Sequence, residues 1–369
     1  MSYILHISRW YPDPQQEDVG NFVKLHVSAS AKNQKAVVFS IRKAESDFYL
    51  ENTRGQIKEY LIGFRDKGNP AINALHRYWL SKRHLNRIIR KHGKPKLVHA
   101  HVHTRPVIWA ERLSRKLNIP FVISEHWSGY CNGQFSNLPF LKRRTIKQLY
   151  QKACMILPVS PFLEQGMRSC GIQGNYQVLP NVVFTEGKSR RSNRGLFRFI
   201  FIGDLRDDIK NVSGIIKAFE ALEEAAELFI IGEGQDGEHI NQMVERSPKP
   251  KSIFRKPLMP HQEALEELAL ADALVINSTV ETFSIIAAEA VAMGVPVLSS
   301  RCGGPEYFLH DQNAILFEPN NEEELIHGMS KIMSDSLSLP EEGAHRQIEK
   351  NFSLQAISEQ LEEIYHSCI

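Results

Sequence analysis

The chain has 369 residues, which is too long for one ordinary hydrophobic core and predicts two domains. Hydrophobic residues make up 42% of the sequence and charged residues 24%, values typical of globular proteins. No apolar run approaches the roughly 18 residues that span a bilayer, which excludes a transmembrane helix. The opening segment, MSYILHISRWYPDP, has no basic region before its apolar stretch, so it is predicted as a buried strand and not as a signal peptide.

The net charge of +3 conceals an asymmetry between the two halves of the chain. Residues 1–182 contain 28 basic and 11 acidic residues, whereas the remainder contains 17 basic and 31 acidic residues. The basic first half indicates an anionic partner: a membrane surface, a diphosphate-bearing lipid or nucleic acid. The five cysteines are scattered, odd in number and without a CxxC pair. This argues against a disulfide framework or a structural zinc site and fits a reducing cytoplasm.

Short apolar runs alternate with longer amphipathic stretches along the first half of the chain. The predicted strands are Tyr3–Ser8, Ala36–Ile41, Leu97–Ala100, Phe121–Ser124 and Met155–Val159. The predicted helices are Asn21–Asn33, Ile72–His92, Pro106–Leu117, Leu141–Lys152 and Pro161–Cys170. This alternation is typical of βαβ units and a parallel sheet.

A polar stretch without periodicity, Thr185–Gly195, is predicted as a linker, and the same alternation restarts after it. The predicted strands are Phe197–Ile202, Leu228–Ile231, Ile253–Arg255, Ala273–Asn277, Val295–Ser299 and Ala314–Phe317. The predicted helices are Val212–Leu222, Gln235–Val244, Gln262–Leu270, Ile285–Met293, Glu322–Ser334 and Ser353–Tyr365. The predicted fold class is therefore α/β, with two doubly wound parallel sheets in succession. Ligands of such sheets bind beyond the carboxyl ends of the strands.

The segment Asn277–Ser300 carries the most informative chemistry. An apolar strand leads into a polar turn that holds Glu281, and a helix then begins near Phe283 and carries Glu289 about two turns in. The first turn of such a helix offers unpaired backbone N–H groups and a positive dipole end, which both suit a diphosphate. A carboxylate beside that site can bind sugar hydroxyls, and one deeper on the helix can bind ribose hydroxyls.

The Glu281–Glu289 pair, the flanking EAVAMGVPV and the following CGGPE resemble the signature of retaining glycosyltransferase family 4. That family has the GT-B fold, in which two Rossmann-like domains face each other across a cleft. The resemblance extends over FIGDLRDDIKN, LFIIGEGQD, ILPVS with VLPNVV, LVHAHVH, FVISEHWSG and ILHISRWYP with Gly20. It implies an acceptor-binding domain over residues 1–182, a nucleotide-sugar donor domain over 183–352 and a final segment, 353–369, that crosses back to the first domain.

The resemblance also implies a role for each matching residue. Glu281 would contact the donor sugar near its anomeric centre, Glu289 would hold the ribose, and Lys210 would neutralise the donor diphosphate. The backbone at Phe283, Ser284 and Ile285 would cradle the phosphates or sugar hydroxyls. Donor contacts are further implied for Gly20, Gly203, Gly232 and Arg206. His126 would face the donor sugar from the first domain, as a catalytic residue with Glu281 and Lys210. Trp10, His101 and His103 are placed on the acceptor side.

Three positions depart from the family pattern. Val182 stands where the family usually has glycine, which affects the turn between the domains and not the chemistry. Asp204 stands where the family usually has arginine, and Arg206 is the candidate to replace the missing guanidinium. Ser284 stands where the family often has glycine, although its N–H remains available. Because Lys210, Arg206 and the helix dipole can stabilise the leaving phosphate, catalysis is predicted to need no metal and no cofactor beyond the nucleotide-sugar co-substrate, UDP- or GDP-linked.

Three alternating histidines, His99, His101 and His103, would share one face of a strand. Zinc binding is one interpretation. The favoured one is that they are strand-end residues near the acceptor.

Two basic segments, Asn73–Lys96 and Phe135–Tyr150, mix aromatic and aliphatic residues with many Arg and Lys. Such segments suit the surface of an anionic membrane, and the acceptor is then a glycan or a polyprenyl-diphosphate-linked sugar. The alternative is that each helix packs its apolar face on its own sheet and exposes a solvated basic face. Nucleic acid is disfavoured because no RNA- or DNA-binding motif accompanies the charge.

The predicted function is a retaining, hexosyl-type glycosyltransferase in cell-surface polysaccharide or glycoconjugate synthesis, located in the cytoplasm or peripherally at the inner face of the plasma membrane. Two alternatives stay open: a nucleotide-sugar epimerase on the same fold, and a non-catalytic sugar- or lipid-binding protein with a degenerate site, for which Asp204 is the best argument. A dinucleotide-dependent oxidoreductase is disfavoured because FIGDL and IIGEGQD lack G-x-G-x-x-G.

Overall fold

The computed structural model describes residues 3–13, 15, 19–102, 105–190, 195–335 and 343–369. The chain divides into two compact units, one formed by Met1–Val182 with Leu354–Ile369 and the other by Val183–Ser353. Each unit is built around one sheet, of seven strands in the first and six in the second. The predicted class, α/β with two parallel-sheet domains, is confirmed.

The first unit begins with a fully buried strand and ends with the last helix of the chain. Its strands are β1 (Tyr3–Ser8), β2 (Lys35–Ala44), β3 (Phe48–Arg54), β4 (Ile57–Arg65), β5 (Leu97–His101), β6 (Phe121–Glu125) and β7 (Met155–Pro158). Its helices are α1 (Asn21–Ser30), α2 (Pro70–His92), α3 (Arg105–Leu117), α4 (Phe140–Tyr150), α5 (Pro161–Ser169) and α13 (Leu354–Cys368). The strand order is β3-β4-β2-β1-β5-β6-β7, and all neighbours are parallel except β3 and β4.

The second unit is an entirely parallel sheet. Its strands are β8 (Phe197–Ile202), β9 (Ala226–Ile231), β10 (Ile253–Lys256), β11 (Ala273–Ile276), β12 (Val297–Ser300) and β13 (Ala314–Phe317). Its helices are α6 (Asp207–Lys210), α7 (Val212–Ala221), α8 (Gly237–Arg246), α9 (His261–Ala269), α10 (Ile285–Met293), α11 (Glu322–Asp335) and α12 (Ala344–Phe352). The order is β10-β9-β8-β11-β12-β13, so the chain places strands on one side of β8 and then, from β11, on the other.

Helix boundaries follow local chemistry. The side chain of Asn69 accepts hydrogen bonds from the backbone N–H groups of Ala71 and Ile72, and Pro70 is the first residue of α2. Ser160 caps α5 in the same way. Helix α10 lies in the interior of the second unit, and its last seven residues are all buried. For this reason the helix is apolar around its whole circumference except for Glu289.

The last helix, α13, contributes to the core of the first unit. Ile357, Leu361 and Ile364 pack with Ile4 of β1 and Leu97 of β5. Cys368, at the end of this helix, forms a disulfide with Cys154, which precedes β7. From the scattered positions of the cysteines, no disulfide framework was predicted. The fold nevertheless brings together two that lie 214 residues apart.

Four elements were not predicted from the sequence: β3, β4, α6 and α12. The β3–β4 hairpin escaped notice because β3 lies at the sheet edge, is mostly exposed and carries a polar sequence, ENTR, over its last four residues. Helix α12 was not assigned. Among the described residues, none of the helices combines the length and apolar character that crossing a membrane requires.

Candidate functional site

The second sheet reverses its winding direction between β8 and β11, which are parallel neighbours. In open α/β sheets the crevice beyond the carboxyl ends of such strands is the usual ligand site. Lys210 lies in the connection that follows β8, and Glu281 lies in the turn that follows β11. The topology therefore brings to one place two residues that are 71 positions apart in sequence.

The segment around Lys210 is held in place by hydrogen bonds from both backbone and side-chain groups. Asn211 adopts a left-handed conformation, with φ of +47°, and its side chain caps α7 by accepting a hydrogen bond from the N–H of Gly214 at 3.2 Å. The Asn277 side-chain amide donates to the Asn211 carbonyl at 3.1 Å, and the Thr279 N–H donates to the Ile209 carbonyl at 2.8 Å. These bonds fix the turn after β11 against the residues that carry Lys210.

Glu281 is fixed through both its backbone and its side chain. Its N–H donates to the Cys302 carbonyl, and its carbonyl accepts from the Gly304 N–H, each at 2.9 Å. Its carboxylate forms an ion pair with the Lys210 ammonium and also accepts a hydrogen bond from the Ser278 hydroxyl at 3.0 Å. Both side chains are largely but not fully buried, so the pair is open to a ligand.

The helix that follows begins in an unusual conformation. Ser284 precedes α10 with φ of +65°, a region that residues other than glycine rarely adopt. The N–H groups of the first turn, including that of Ile285, have no intrahelical acceptor. Phe283 is buried against Phe308 and Phe352, which anchors the turn.

Gly304 lies against this same turn. A Cβ atom on Gly304 would lie 2.2 Å from the Thr282 carbonyl carbon, so only glycine permits this approach of the two backbones.

Glu289 lies deeper on α10 and is fully buried. Its Oε1 atom is 2.9 Å from Nε2 of His261, whereas Oε2 has no hydrogen-bond partner among the described residues. Burial raises the pKa of Glu289 above its ordinary value, and the His261 hydrogen bond and the nearby backbone N–H of Phe184 oppose that rise. A buried carboxylate oxygen without a donor is costly unless a ligand supplies one.

The loops after β8 and β9 meet backbone to backbone at two of the predicted glycines. Gly232 has φ of +142°, and a Cβ on it would lie 1.9 Å from the Gly203 carbonyl oxygen.

Arg206, the candidate to replace the family arginine, forms an ion pair with Asp204 at 2.9 Å. Its side chain is about half exposed. The aspartate at the position of the family arginine therefore engages the residue suggested as its replacement.

In the first unit, the structure brings together Gly20, Trp10 and His126. Gly20 precedes α1 with φ of +81°, and a Cβ on it would lie 2.4 Å from the Trp10 carbonyl oxygen. His126 follows β6 and packs against Phe22 of α1, with ring centroids 4.3 Å apart. The N–H of His126 donates to the buried Glu125 carboxylate at 2.9 Å. Burial and the nearby His26 ring lower the pKa of His126 well below its ordinary value, so the imidazole is neutral.

His101 belongs to a buried histidine network on the same sheet. The register of β1 and β5 pairs His6 with His99, which places these rings and His101 on one face. His6 Nδ1 lies 3.0 Å from His101 Nε2. The two ring nitrogens of His99 form hydrogen bonds with the hydroxyl groups of Ser124 and Tyr365, each at 2.7 Å.

Ring nitrogens of His6, His99 and His101 approach within 4.8 Å of one another, which is the geometry of a candidate metal cluster. Burial lowers the pKa of all three, and most of their nitrogens already have protein partners. The network is therefore a neutral, hydrogen-bonded core. His101 is fully buried, and its acceptor role stays a prediction, whereas His103 lies outside the described residues.

Several positioning residues escaped the sequence argument. Ser278, Gly304 and His261 contact or constrain Glu281, the turn before α10 and Glu289. The glycine pair in CGGPE was a usable signal for Gly304. Nothing in the local pattern around His261 indicated its partner, which is 28 residues away.

Comparison with known proteins decides the family. A family model described as glycosyl transferases group 1 matches residues 184–353, and one described as glycosyltransferase family 4 matches residues 32–186. The chain belongs to glycosyltransferase family 4. The family resemblance read from Glu281, Glu289 and the flanking motifs is thereby confirmed.

Individual relatives are distant. N-acetyl-alpha-D-glucosaminyl L-malate synthase of Bacillus anthracis is 26% identical over 167 residues, which cover 44% of this chain and 43% of that enzyme. The uncharacterized glycosyltransferase MJ1607 of Methanocaldococcus jannaschii is 30% identical over 141 residues, which cover 37% of this chain and 35% of that protein. The matches therefore span less than half the length of these relatives.

Among solved structures, sucrose-phosphate synthase from Thermosynechococcus elongatus aligns with a TM-score of 0.81 at 16% identity, over 99% of this chain and 98% of that one. Anabaena HepE in complex with UDP aligns with a TM-score of 0.75 at 16% identity, over the full length of both chains. At such identities the likeness establishes the fold, which is GT-B as expected, and leaves the substrates open.

Proposed function

We propose that this protein is a retaining glycosyltransferase that moves a hexosyl group from a nucleoside-diphosphate sugar to a glycan or lipid-linked acceptor. The observation that carries the proposal is the arrangement at the reversal of the second sheet. There the Lys210–Glu281 ion pair lies beside the turn that opens α10, and Glu289 keeps one buried carboxylate oxygen unpartnered among the described residues.

Each part of this arrangement suits a different part of the donor. The Lys210 ammonium and the N–H groups at Ser284 and Ile285 are cationic or dipolar groups for the diphosphate. Oε2 of Glu289 is an acceptor for a ribose hydroxyl. When the diphosphate draws Lys210 toward itself, the Glu281 carboxylate is released to accept hydroxyls of the donor sugar.

The proposed reaction needs no group beyond these. The bond between the anomeric carbon and the leaving diphosphate oxygen breaks, while the acceptor oxygen bonds to that carbon from the same face. The acceptor proton passes to the leaving phosphate. Negative charge that develops on this phosphate is stabilised by Lys210 and the first turn of α10. No metal is needed in this scheme, and the role of His126 stays a prediction from the family resemblance.

The donor proposed is UDP- or GDP-linked. A solved structure with the same fold, Anabaena HepE, binds UDP. Thermal unfolding with UDP, GDP, ADP and their glucose conjugates tests the proposal. A ligand at about 100 times its Kd adds about 2.7 kcal/mol to the free energy of unfolding. We expect one nucleotide to stabilise the wild type and Lys217→Gln, an exposed control on α7, and to stabilise Lys210→Gln less. No shift with any nucleotide would refute the proposal.

The same assay mixtures, analysed for products, separate the alternatives. Transfer to an acceptor with retained anomeric configuration supports the proposal. A free epimerised nucleotide sugar without acceptor identifies an epimerase, and binding without any turnover identifies a non-catalytic binding protein.

We also propose that the first unit contacts an anionic membrane from the cytoplasmic side. Three large apolar side chains on one face of α2 are more than half exposed: Ile72, Leu75 and Trp79. Lys82 lies 5.0 Å from the Trp79 ring, and several arginines follow on the same helix. A basic, aromatic helix face of this kind suits an anionic interface.

Co-sedimentation with vesicles tests the membrane proposal. Wild-type protein should bind phosphatidylglycerol vesicles more than phosphatidylcholine vesicles, and Leu75→Ser with Trp79→Ser should reduce that binding severalfold. Equal binding to both vesicle types would refute the proposal.

A further inference from the structure

The first unit contains a cavity of about 400 Å³ that is separate from the histidine network. It lies beyond the carboxyl ends of β1 and β2, against α2 and the start of α3. That end of a parallel sheet is where α/β folds bind ligands. Six of the described residues that line it are basic, and none is acidic.

Four of the six cations have no salt-bridge partner among the described residues: Arg9, Arg77, Arg105 and Arg112. The other two are already neutralised, because Arg42 pairs with Asp13 and Lys43 with Asp66. A cluster of unpaired guanidinium groups around one cavity repels itself unless an anion binds there.

Burial first, and then repulsion between neighbouring guanidinium groups, lowers the pKa of two of these arginines. Burial, with the nearby charges of Arg105 and Arg9, lowers the pKa of Arg77 to about 10. Burial and the charge of Arg9 also lower the pKa of Arg105. Arg77 and Arg105 nevertheless remain protonated at neutral pH, because the pKa of a guanidinium group lies far above 7, so they keep the cavity cationic.

Other lining groups add hydrogen-bonding capacity and a flat apolar wall. The Ser81 hydroxyl is fully buried and has no hydrogen-bond partner among the described residues. Arg105 begins α3, whose N-terminal dipole adds positive potential. Tyr78 and Trp109 stack with centroids 5.4 Å apart, and the Arg112 guanidinium lies over both rings.

We propose that this arginine cavity binds the phosphate or diphosphate of the acceptor, so that the acceptor is a saccharide carried on a phosphorylated head group. This inference rests on the proposed transferase function and names the acceptor class for it. Guanidinium groups bind phosphate oxygens bidentately, and four of them match a dianion. The Tyr78–Trp109 pair offers a surface for the saccharide ring or the first isoprenoid units.

The position of the cavity on α2 relates it to the membrane proposal. Residues Asn73, Arg77 and Ser81 of α2 line the cavity, whereas Leu75 and Trp79 of the same helix are exposed. A phosphate held by the first set leaves an attached lipid near the second. The shared chemistry is a sugar-linked phosphate, and its source is either a polyprenyl lipid or a free sugar phosphate.

Calorimetric titration with farnesyl diphosphate and with glucose 1-phosphate tests the proposal. Arg9→Gln with Arg105→Gln removes two exposed cations, and Arg115→Gln is the matched control on α3 because Arg115 does not line the cavity. Each lost charge-assisted hydrogen bond costs about tenfold in affinity, so the double variant should bind farnesyl diphosphate about 100-fold more weakly. The control should bind as the wild type does, and thermal unfolding of each variant checks folding.

The same titration in Lys210→Gln distinguishes this cavity from the donor site. The proposal expects unchanged affinity for farnesyl diphosphate in that variant. Tighter binding of farnesyl diphosphate than of glucose 1-phosphate identifies a lipid-linked acceptor, and equal binding identifies a free sugar phosphate. The proposal is overturned if neither probe binds the wild type, if Arg115→Gln weakens binding as much as the double variant, or if only Lys210→Gln weakens it.

The experiments test the arginine cavity and the proposed transferase function separately. The nucleotide contacts that we propose, at Lys210, Ser284, Ile285 and Glu289, include none of the cavity arginines. If nucleotides bind and are turned over while the cavity binds neither probe, the transferase stands with a different acceptor site. If the probes bind while no nucleotide does, the cavity stands as an anion site without the transferase.

Discussion

Replacing Glu289 with glutamine gives the sharpest test of the donor site, because affinity and stability should respond oppositely. The change keeps the size of the side chain and its acceptor at Oε1 for His261. It removes the charge and replaces the unpartnered Oε2 with an amide group. We expect nucleotide binding to weaken while the unliganded protein keeps its stability.

The expected magnitude follows from the burial of Glu289. A hydrogen bond to a charged, buried acceptor contributes about 1.5–3 kcal/mol, so its loss should raise the Kd for the nucleotide about 10- to 100-fold. Because burial raises the pKa of Glu289, ionisation of this group opposes folding as pH rises above the unfolded value of 4.5. At neutral pH, removal of the charge should therefore cost no stability.

Isothermal titration with the stabilising nucleotide measures the first quantity, and urea unfolding at pH 7.5 measures the second. Glu263→Gln, the same change at an exposed position of α9, is the control. A ligand concentration that stabilises the wild type by about 2.7 kcal/mol should stabilise the variant by about 0.9 kcal/mol if its Kd rises about 30-fold. Unchanged nucleotide affinity with a loss of several kcal/mol in the free energy of unfolding would show that Glu289 has a structural role only and does not bind the nucleotide.

Three further predictions concern other parts of the chain. Lys210→Gln should lower kcat about 10²–10³-fold, because it removes the cation that stabilises the leaving diphosphate, and a kcat within twofold of wild type would contradict that role. Gly232→Ala should cost at least about 2 kcal/mol in urea unfolding, because its Cβ would collide with the Gly203 carbonyl oxygen. Burial lowers the pKa of His6 to about 3 and of His26 to about 4, so the unfolded chain binds protons that the folded chain does not. The free energy of unfolding should therefore be highest above pH 6.5, and below that pH it should fall by up to about 1.4 kcal/mol per pH unit for each buried histidine. A free energy of unfolding, measured with urea, that stays constant between pH 7 and 4.5 would contradict this.

The sequence was most informative where apolar runs are short, buried and bounded by turns. Strands Tyr3–Ser8, Phe197–Ile202 and Ala314–Phe317 and helix Ile285–Met293 have the predicted bounds. An edge hairpin is held by its neighbours more than by its own pattern, so Phe48–Arg54 gave no signal. Contacts between distant segments, such as the Cys154–Cys368 disulfide, have no local signature at all.

The candidate site shows the same division. The turn and helix from Glu281 to Glu289 were readable because they are contiguous and resemble a known motif. The partners that orient them come from elsewhere in the chain: Ser278, His261 and Gly304. The arginine cavity was invisible for this reason, since its cations come from four separate parts of the chain and only their basic character was apparent from the sequence.

The most direct measurement is a crystal structure with the nucleoside diphosphate that stabilises the protein. We expect diphosphate oxygens within about 3.2 Å of Lys210 Nζ and of the N–H groups at Ser284 and Ile285, with a ribose hydroxyl on Oε2 of Glu289. A nucleotide bound elsewhere, with Lys210 still paired to Glu281 and Glu289 untouched, would contradict this expectation.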